Sequence, residues 1–328
     1  MTHHEYSIAG HEIETPLVNA AGSINGTSSE LILREAKTLA NTAIGAITIG
    51  SFTVPRQEGN EAKFGGPTYY HDQNTGETYN SAGLPNVGLN EAKKLIPEVV
   101  KIAHEKGKPV IASVASTLDS AESGNTYEQL VRLVYEMQLT GVDMVEVSPG
   151  SPNTVTDDGG RKELMAYSLE SMYELIEILT PWIETTDTKV GLKLPPYISD
   201  EQRSIVPELA KLINNKRKFG FIVTSNTIPN QTALDENDKF ILSVPGGTGG
   251  MSGPATKQLG REQLHMWRQL LDDSVDIIST LGVNDGIEVA VRRRLGASAA
   301  GGVTFLWESD DWGGAITDMV SDWVEAEH

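Results

Sequence analysis

A lysine set inside an apolar run is the first residue of this sequence that could do chemistry. Gly191-Leu192-Lys193-Leu194-Pro195-Pro196-Tyr197 reads as a buried strand that ends in a loop. Burying an ammonium is costly unless it is paired. An inward Lys193 can clamp an anionic ligand or form a Schiff base; the alternative is a side chain that snorkels to solvent. Ser151, in Ser148-Pro149-Gly150-Ser151-Pro152-Asn153-Thr154, can move a proton from a loop, although serine before proline is also common turn chemistry. Thr224-Ser225-Asn226-Thr227 gathers hydroxyls and an amide at another strand end, which suits an uncharged polar ligand face or simply a turn.

Glycine marks a second kind of site. Pro245-Gly246-Gly247-Thr248-Gly249-Gly250-Met251-Ser252-Gly253-Pro254 reads as the opening of a helix whose backbone N–H groups can approach an anion. Gly282 and Thr304 follow two later strands, where barrels hold phosphate. A single such loop is equally a flexible lid; glycine loops at adjacent strand ends together suggest a phosphorylated ligand or cofactor such as FMN.

Other chemistries are excluded or unsupported. The 328 residues contain no cysteine, so the chain holds no disulfide, thiolate zinc site, iron–sulfur cluster or cysteine nucleophile. His71, His104 and His265 lack metal-ligand spacing, Asp157-Asp158 sits in a glycine-rich loop, and no metal is expected. A formal net charge of −19 repels nucleic acid and anionic membranes. The one basic run, Arg292-Arg293-Arg294, is accounted for by a helix C-terminus. The N-terminus lacks an apolar signal core and no stretch approaches ~20 apolar residues, so a cytoplasmic protein is expected.

The elements that must position these residues alternate strictly. Strands are predicted at Pro16–Asn19, Ala46–Ser51, Pro109–Ser113, Met144–Val147, Lys189–Leu194, Phe219–Ser225, Asp276–Thr280 and Ala299–Phe305. Helices are predicted at Ser28–Leu39, Asn90–Lys106, Tyr127–Thr140, Ser168–Leu179, Asp200–Asn214, Thr256–Leu271, Asp285–Leu295 and Gly313–Ala326. This order predicts an α/β fold, a (β/α)8 TIM barrel, with an open doubly wound sheet as the alternative. Tyr6–Glu14 reads as a hairpin plugging the barrel bottom. Long insertions at Pro55–Val87 and Ser148–Tyr167 follow strand ends, where active-site loops belong. No linker or second domain is visible, so residues 1–328 are expected to form one domain.

In this order the segments resemble the dihydroorotate dehydrogenase family of FMN-dependent barrels along nearly the whole chain. The resemblance rests on Val18-Asn19-Ala20-Ala21-Gly22, Ile49-Gly50-Ser51, Glu58-Gly59-Asn60, Asn80-Ser81-Ala82-Gly83-Leu84-Pro85-Asn86, Ser151-Pro152-Asn153, the Lys193 segment, Asn226-Thr227 and Gly249-Gly250-Met251-Ser252-Gly253. It implies oxidation of dihydroorotate to orotate, with Ser151 as the base for the C5 proton and hydride transfer from C6 to flavin N5. Lys193 would hold the flavin's polar edge. Ala20, Ala21, Gly50 and Ser51 would line FMN, and Gly249, Gly250, Gly282 and Thr304 its phosphate. Asn80, Gly83, Leu84, Asn153, Asn226 and Thr227 would hold the pyrimidine. A small-molecule dihydropyrimidine, a soluble fumarate-like electron acceptor and a homodimer are the expected partners.

The sequence also departs from the family. A family lysine near Ile49–Gln57 falls on Gly50 or Pro55, with Arg56 one residue away as a candidate replacement, although Arg and Lys are not interchangeable. The asparagine before the base falls on Ser148, or on Glu146 with an insertion. Thr280-Leu281-Gly282-Val283 has one glycine where the family usually has two, and Gly302-Val303-Thr304 is atypical. Three alternatives stay open: a paralogue acting on another dihydropyrimidine, a barrel binding FMN without turnover, and a lyase or aldolase using Lys193.

Overall fold

Runs that are apolar on both faces are satisfied only inside a covered sheet, and eight of them form one parallel sheet in the computed structural model. The structure describes residues 6–119, 123–149, 164–184, 186–215 and 219–327. In chain order the elements begin with β1 (Tyr6–Ile8), β2 (His11–Ile13), β3 (Leu17–Asn19), α1 (Ser29–Ala40), β4 (Ile47–Phe52), α2 (Asn60–Phe64), β5 (Tyr69–Asp72), β6 (Glu77–Asn80) and α3 (Leu89–His104). Then come β7 (Val110–Ala115), α4 (Thr126–Gln138), β8 (Met144–Ser148), α5 (Leu169–Glu184), β9 (Lys189–Leu194), α6 (Asp200–Ser204), α7 (Val206–Asn215) and β10 (Phe219–Thr224). The chain continues with β11 (Ile228–Thr232), β12 (Thr248–Ser252), α8 (Lys257–Arg268), β13 (Asp276–Ser279), α9 (Gly286–Arg294), β14 (Ala299–Gly302), α10 (Thr304–Trp307) and α11 (Trp312–Glu327).

The parallel strands run in the order β3-β14-β13-β10-β9-β8-β7-β4. A parallel bridge between Val18 and Ala46 joins the two ends and closes the barrel. Beyond that bridge the Asn19 side chain replaces the ladder: its Nδ2 donates to the Thr48 carbonyl at 2.6 Å and its Oδ1 accepts from the Thr48 N–H at 2.8 Å. The expected (β/α)8 barrel is therefore the observed fold, and the open sheet is not.

Two cores hold it. The larger lies between strands and helices and contains Ile47, Val145, Leu192, Ile222 and Ile277. The smaller fills the barrel bore with Val18, Ile111, Met144, Phe221 and Ile278, and the β1–β2 hairpin adds Ile8, Ala9 and Ile13 to it. The hairpin turns at Ala9 and Gly10, both with positive φ (50° and 86°), as a two-residue loop demands. The expected bottom plug is present.

The strand-end insertions build something the sequence reading did not contain. Residues after β4 supply β5 and β6, and residues after β10 supply β11 and β12; together they form one antiparallel sheet, β11-β12-β6-β5. Tyr79, Ala233, Leu242 and Val244 give this sheet its own small core. The glycine-rich segment predicted to open a helix instead carries β12, and α8 begins only after it at Lys257. The last predicted strand, Ala299–Phe305, stops at Gly302 and gives way to α10. The predicted helix Asp200–Asn214 is split into α6 and α7.

Candidate functional site

Between the C-terminal ends of the barrel strands and the antiparallel sheet lies a cleft of about 1060 Å³, its open mouth included. Its floor holds Lys193, from the end of β9, whose side chain is 9% exposed. Its ionic neighbour among the described residues is Glu146 of β8, at a long 3.8 Å. Lys193 thus points into the barrel and does not snorkel outward. Glu146 accepts from Ser113 of β7 at 2.7 Å, and Ser113 shares a 2.8 Å hydrogen bond with Ser51 of β4. Ser51 and Lys193 line the cleft; Glu146 and Ser113 lie beneath it, both fully or almost fully buried.

Ala20, Ala21 and Gly22, from the loop after β3, form one side wall. Gly50 does not line the cleft. It adopts φ 104°, and a Cβ there would meet the Ser113 carbonyl oxygen at 2.5 Å. That close approach closes the position to any side chain, including a lysine. Arg56 is not a substitute: its Nε bonds Glu58 at 2.6 Å and its Nη1 the Thr27 carbonyl at 3.1 Å, outside this cleft. Ser148 lines the cleft, whereas Glu146 is buried under it.

The opposite wall is neutral and polar. Asn80, Leu84, Asn226 and Thr227 all line it. Asn86 is fully buried and fixes the Asn80–Asn86 loop, accepting from the N–H groups of Thr53 (3.2 Å) and Gly88 (2.9 Å) and donating to the Leu84 carbonyl (2.8 Å). Leu84 is held there with a positive φ of 58°. Gly83 faces the other way, packed so closely on Asn60 that a Cβ would come within 2.5 Å of it. Asn226 accepts from the Thr227 N–H at 2.8 Å. The Thr227 hydroxyl is buried, packed against Gly250, without a hydrogen-bond partner among the described residues.

Gly249 and Gly250 sit in β12 and do not line the cleft. A Cβ on Gly250 would come within 2.0 Å of the Thr227 Oγ1, and one on Gly249 within 2.6 Å of the Asn80 carbonyl. They permit the antiparallel sheet to close on the cleft, while the neighbouring Ser252 and Gly253 reach it.

At the far end three backbone stretches converge: Ser252-Gly253, Thr280 to Asn284, and Gly302 to Thr304. Gly282 and Thr304 therefore both line this end of the cleft. The stretch after β13 is organised by a residue the sequence reading assigned to a helix end. Arg292 is fully buried. It donates to Glu288 Oε1 (2.6 Å) and to the carbonyls of Thr280 (3.2 Å), Leu281 (3.0 Å) and Lys257 (3.1 Å). Burial pulls its pKa down while Glu288 opposes the shift. In a trans peptide C=O and N–H point oppositely, so with these carbonyls turned to Arg292 the N–H groups of Leu281 and Gly282 turn away from it. Its burial was visible only as an arginine one turn after Glu288 in an otherwise apolar face.

Tyr69 and Trp307 border the mouth, ring centroids 5.1 Å apart. Glu308 accepts from Tyr69 Oη at 2.5 Å and pairs with His71 Nδ1 at 2.8 Å, tying the antiparallel sheet to the end of α10. Ser151 and Asn153 lie outside the described residues.

Fold and cleft together define an α/β barrel with a ligand site at the C-terminal rim of its strands. The family model for dihydroorotate dehydrogenase matches residues 4–322, and the chain belongs to that family. It is 28% identical over 291 residues to a putative dihydroorotate dehydrogenase A (fumarate) of Streptococcus uberis, covering 89% of this chain and 83% of that one. It is 25% identical over 278 residues to the dihydroorotate dehydrogenase (fumarate) of Lachancea kluyveri, covering 84% and 78%. The fold also matches the crystal structure of DHODH from Eimeria tenella in complex with ferulenol, with a TM-score of 0.74 at 16% identity over 98% of this chain and 83% of that one. No helix among the described residues is long and apolar enough to cross a membrane.

Proposed function

We propose that this chain, working as one barrel domain over residues 1–328, is an FMN-dependent oxidoreductase that converts dihydroorotate to orotate. The observation that carries the reading is the cleft's division of labour. A buried ammonium lies in the floor, backbone stretches converge at one end, and the buried Thr227 hydroxyl lacks a partner in a neutral wall. That donor set fits FMN. Lys193 would hold the polar edge of the ring, Ala20, Ala21 and Ser51 its side, and Gly282 and Thr304 the phosphate, with Gly50, Gly249 and Gly250 as the close-packed frame around them. Bound FMN supplies the hydride acceptor.

The chain supplies position and a base. Asn80, Leu84, Asn226 and Thr227, with Asn153, would hold the pyrimidine, and Gly83 keeps Leu84 in place. Ser151 Oγ would take the C5 proton. A soluble fumarate-like acceptor, a homodimer and a cytoplasmic location complete the reading. The test is anaerobic titration of the yellow protein with dihydroorotate. Bleaching supports it, and protein that takes up no FMN sinks it. Replacing Ser151 with Ala should slow bleaching while leaving FMN bound.

One observation favours a second reading, a dihydropyrimidine without a carboxylate. Position 50 is closed to a side chain, and Lys193 is the one cation among the described lining residues. Bleaching by the carboxylate-free compound in preference to dihydroorotate would establish it.

A further inference from the structure

Glu146 does not line the cleft, yet it stands beneath it between Lys193 and Ser113, the residue that holds Ser51. Its carboxylate is hydrogen-bonded to Ser113 at 2.7 Å and lies 3.8 Å from the Lys193 ammonium. In register it sits opposite Ser113 of β7 and Gly191 of β9. Its side chain is 3% exposed. A carboxylate in such a place must be matched by donors.

The carboxylate sets a direction. Ionised glutamate only accepts, and a serine hydroxyl has one proton. Ser113 spends its proton on Glu146, so in the 2.8 Å contact with Ser51 it is the acceptor and Ser51 the donor. Ser51 therefore turns lone pairs toward the cleft, while Lys193 has only N–H groups to offer. The floor presents an acceptor on one side and a cation on the other.

We propose that Glu146 is the positioning residue of this floor: through the Ser113 relay it fixes Ser51 as an acceptor, and by its charge it aims the Lys193 ammonium. The matching ligand is a heterocycle edge with an N–H donor at Ser51 and an anionic or carbonyl acceptor at Lys193. This rests on the flavin reading above, since the polar edge of FMN is such an edge.

The test measures FMN affinity of the apoprotein by quenching of flavin fluorescence, the flavin midpoint potential, and thermal unfolding as a folding control. Glu146→Gln keeps the volume and an acceptor for Ser113 but loses the charge. It should weaken FMN about tenfold, as loss of one charge-assisted contact does, and lower the midpoint potential because Lys193 is no longer aimed at the ring. A carboxylate acting merely as a nearby negative charge would give the opposite sign, so a raised potential overturns the proposal. Ser51→Ala and Ser113→Ala should each weaken FMN, and the double variant should be no worse than either single one. Additive losses overturn the relay. If Glu146→Gln fails to fold, this cycle decides alone. Wild-type apoprotein that takes up no FMN sinks the flavin reading and this proposal with it. Wild-type uptake with variants unchanged within about twofold sinks only the role of Glu146.

Discussion

Asn19 completes the barrel with a side chain: its amide makes both hydrogen bonds to the backbone of Thr48, at 2.6 and 2.8 Å, that a neighbouring strand makes elsewhere. Both residues are buried, and Asn19 Nδ2 also reaches Ser23 at 2.7 Å. Replacing Asn19 with Leu strands a buried N–H and a buried carbonyl, each worth ~1–3 kcal/mol. Denaturant unfolding of Asn19→Leu should show a loss of about 3 kcal/mol or more. A loss below about 0.5 kcal/mol would mean that water or a strand shift closes the seam.

Arg292 should behave as a pillar of the loop after β13. Glu288 bonds both Arg292 and Arg261, at 2.6 and 2.5 Å, so removing Arg292 leaves buried carbonyls and one carboxylate contact unmatched. Breaking such a buried pair costs about 3–5 kcal/mol. Arg292→Met should lose that much in thermal or denaturant unfolding and should weaken FMN more than Arg293→Met. Equal effects at the two positions would refute a special role for Arg292.

Why was Arg292 not legible in the sequence, when the strand containing Lys193 was? Lys193 interrupts an apolar run, and a charge inside such a run announces itself. Arg292 stands in a basic triplet at a helix end, where charge is ordinary, and only the fold shows that this member faces the core. The same contrast runs through the architecture. All eight barrel strands were readable because each is a largely apolar segment covered on both faces, although the last ends at Gly302 and not at Phe305. The strands β5, β6, β11 and β12 were not, because they are short and polar, and the β6–β12 pairing that joins their two hairpins spans a long stretch of sequence. Gly249 and Gly250 looked like an anion cradle for the same reason: the sequence shows missing side chains, not which neighbour needs the room. Ser51 and Asn80 stand out only through the family motifs, whereas Asn226 and Thr227 also stand out as a polar cluster at a strand end.

Glu35 should make stability fall as pH rises. Burial pushes its carboxyl up to about 7 while Arg34 pulls it down, and its Oε2 is buried without a hydrogen-bond partner among the described residues. A raised carboxyl binds its proton more tightly folded than unfolded. Its contribution is thus full below the ordinary value of 4.5 and is lost as pH climbs to about 7. Partial exposure discounts the effect to ~1–2 kcal/mol. Glu35→Gln should therefore gain stability over the wild type at pH 8 but not at pH 4, as read by melting temperature at each pH.

Glu308 predicts the opposite slope. Burial pushes its carboxyl up, but hydrogen bonds from Tyr69 and His71 outweigh this and hold it below the ordinary carboxylate range. Its stabilisation is present above pH 4.5 and is lost as pH falls through the lowered value. Tyr69 stays protonated, because burial and Glu308 both push its ionisation up. Acidification should therefore alter the fluorescence of Trp307, which packs on Tyr69, and Glu308→Gln should abolish that step. A step that persists in the variant would place the titration elsewhere.

The sheet over the cleft has consequences for how a ligand comes and goes. Its core of Tyr79, Ala233, Leu242 and Val244 is separate from both cores of the barrel. A unit with its own small core can lose its structure at a fraction of the cost of global unfolding. Hydrogen exchange should therefore show Tyr79 and Met251, paired across β6 and β12, exchanging in one cooperative step well below the barrel strands. Binding would then slow that step, so the residence time of a bound molecule would be set by the thermodynamics of the roof and not by those of the barrel.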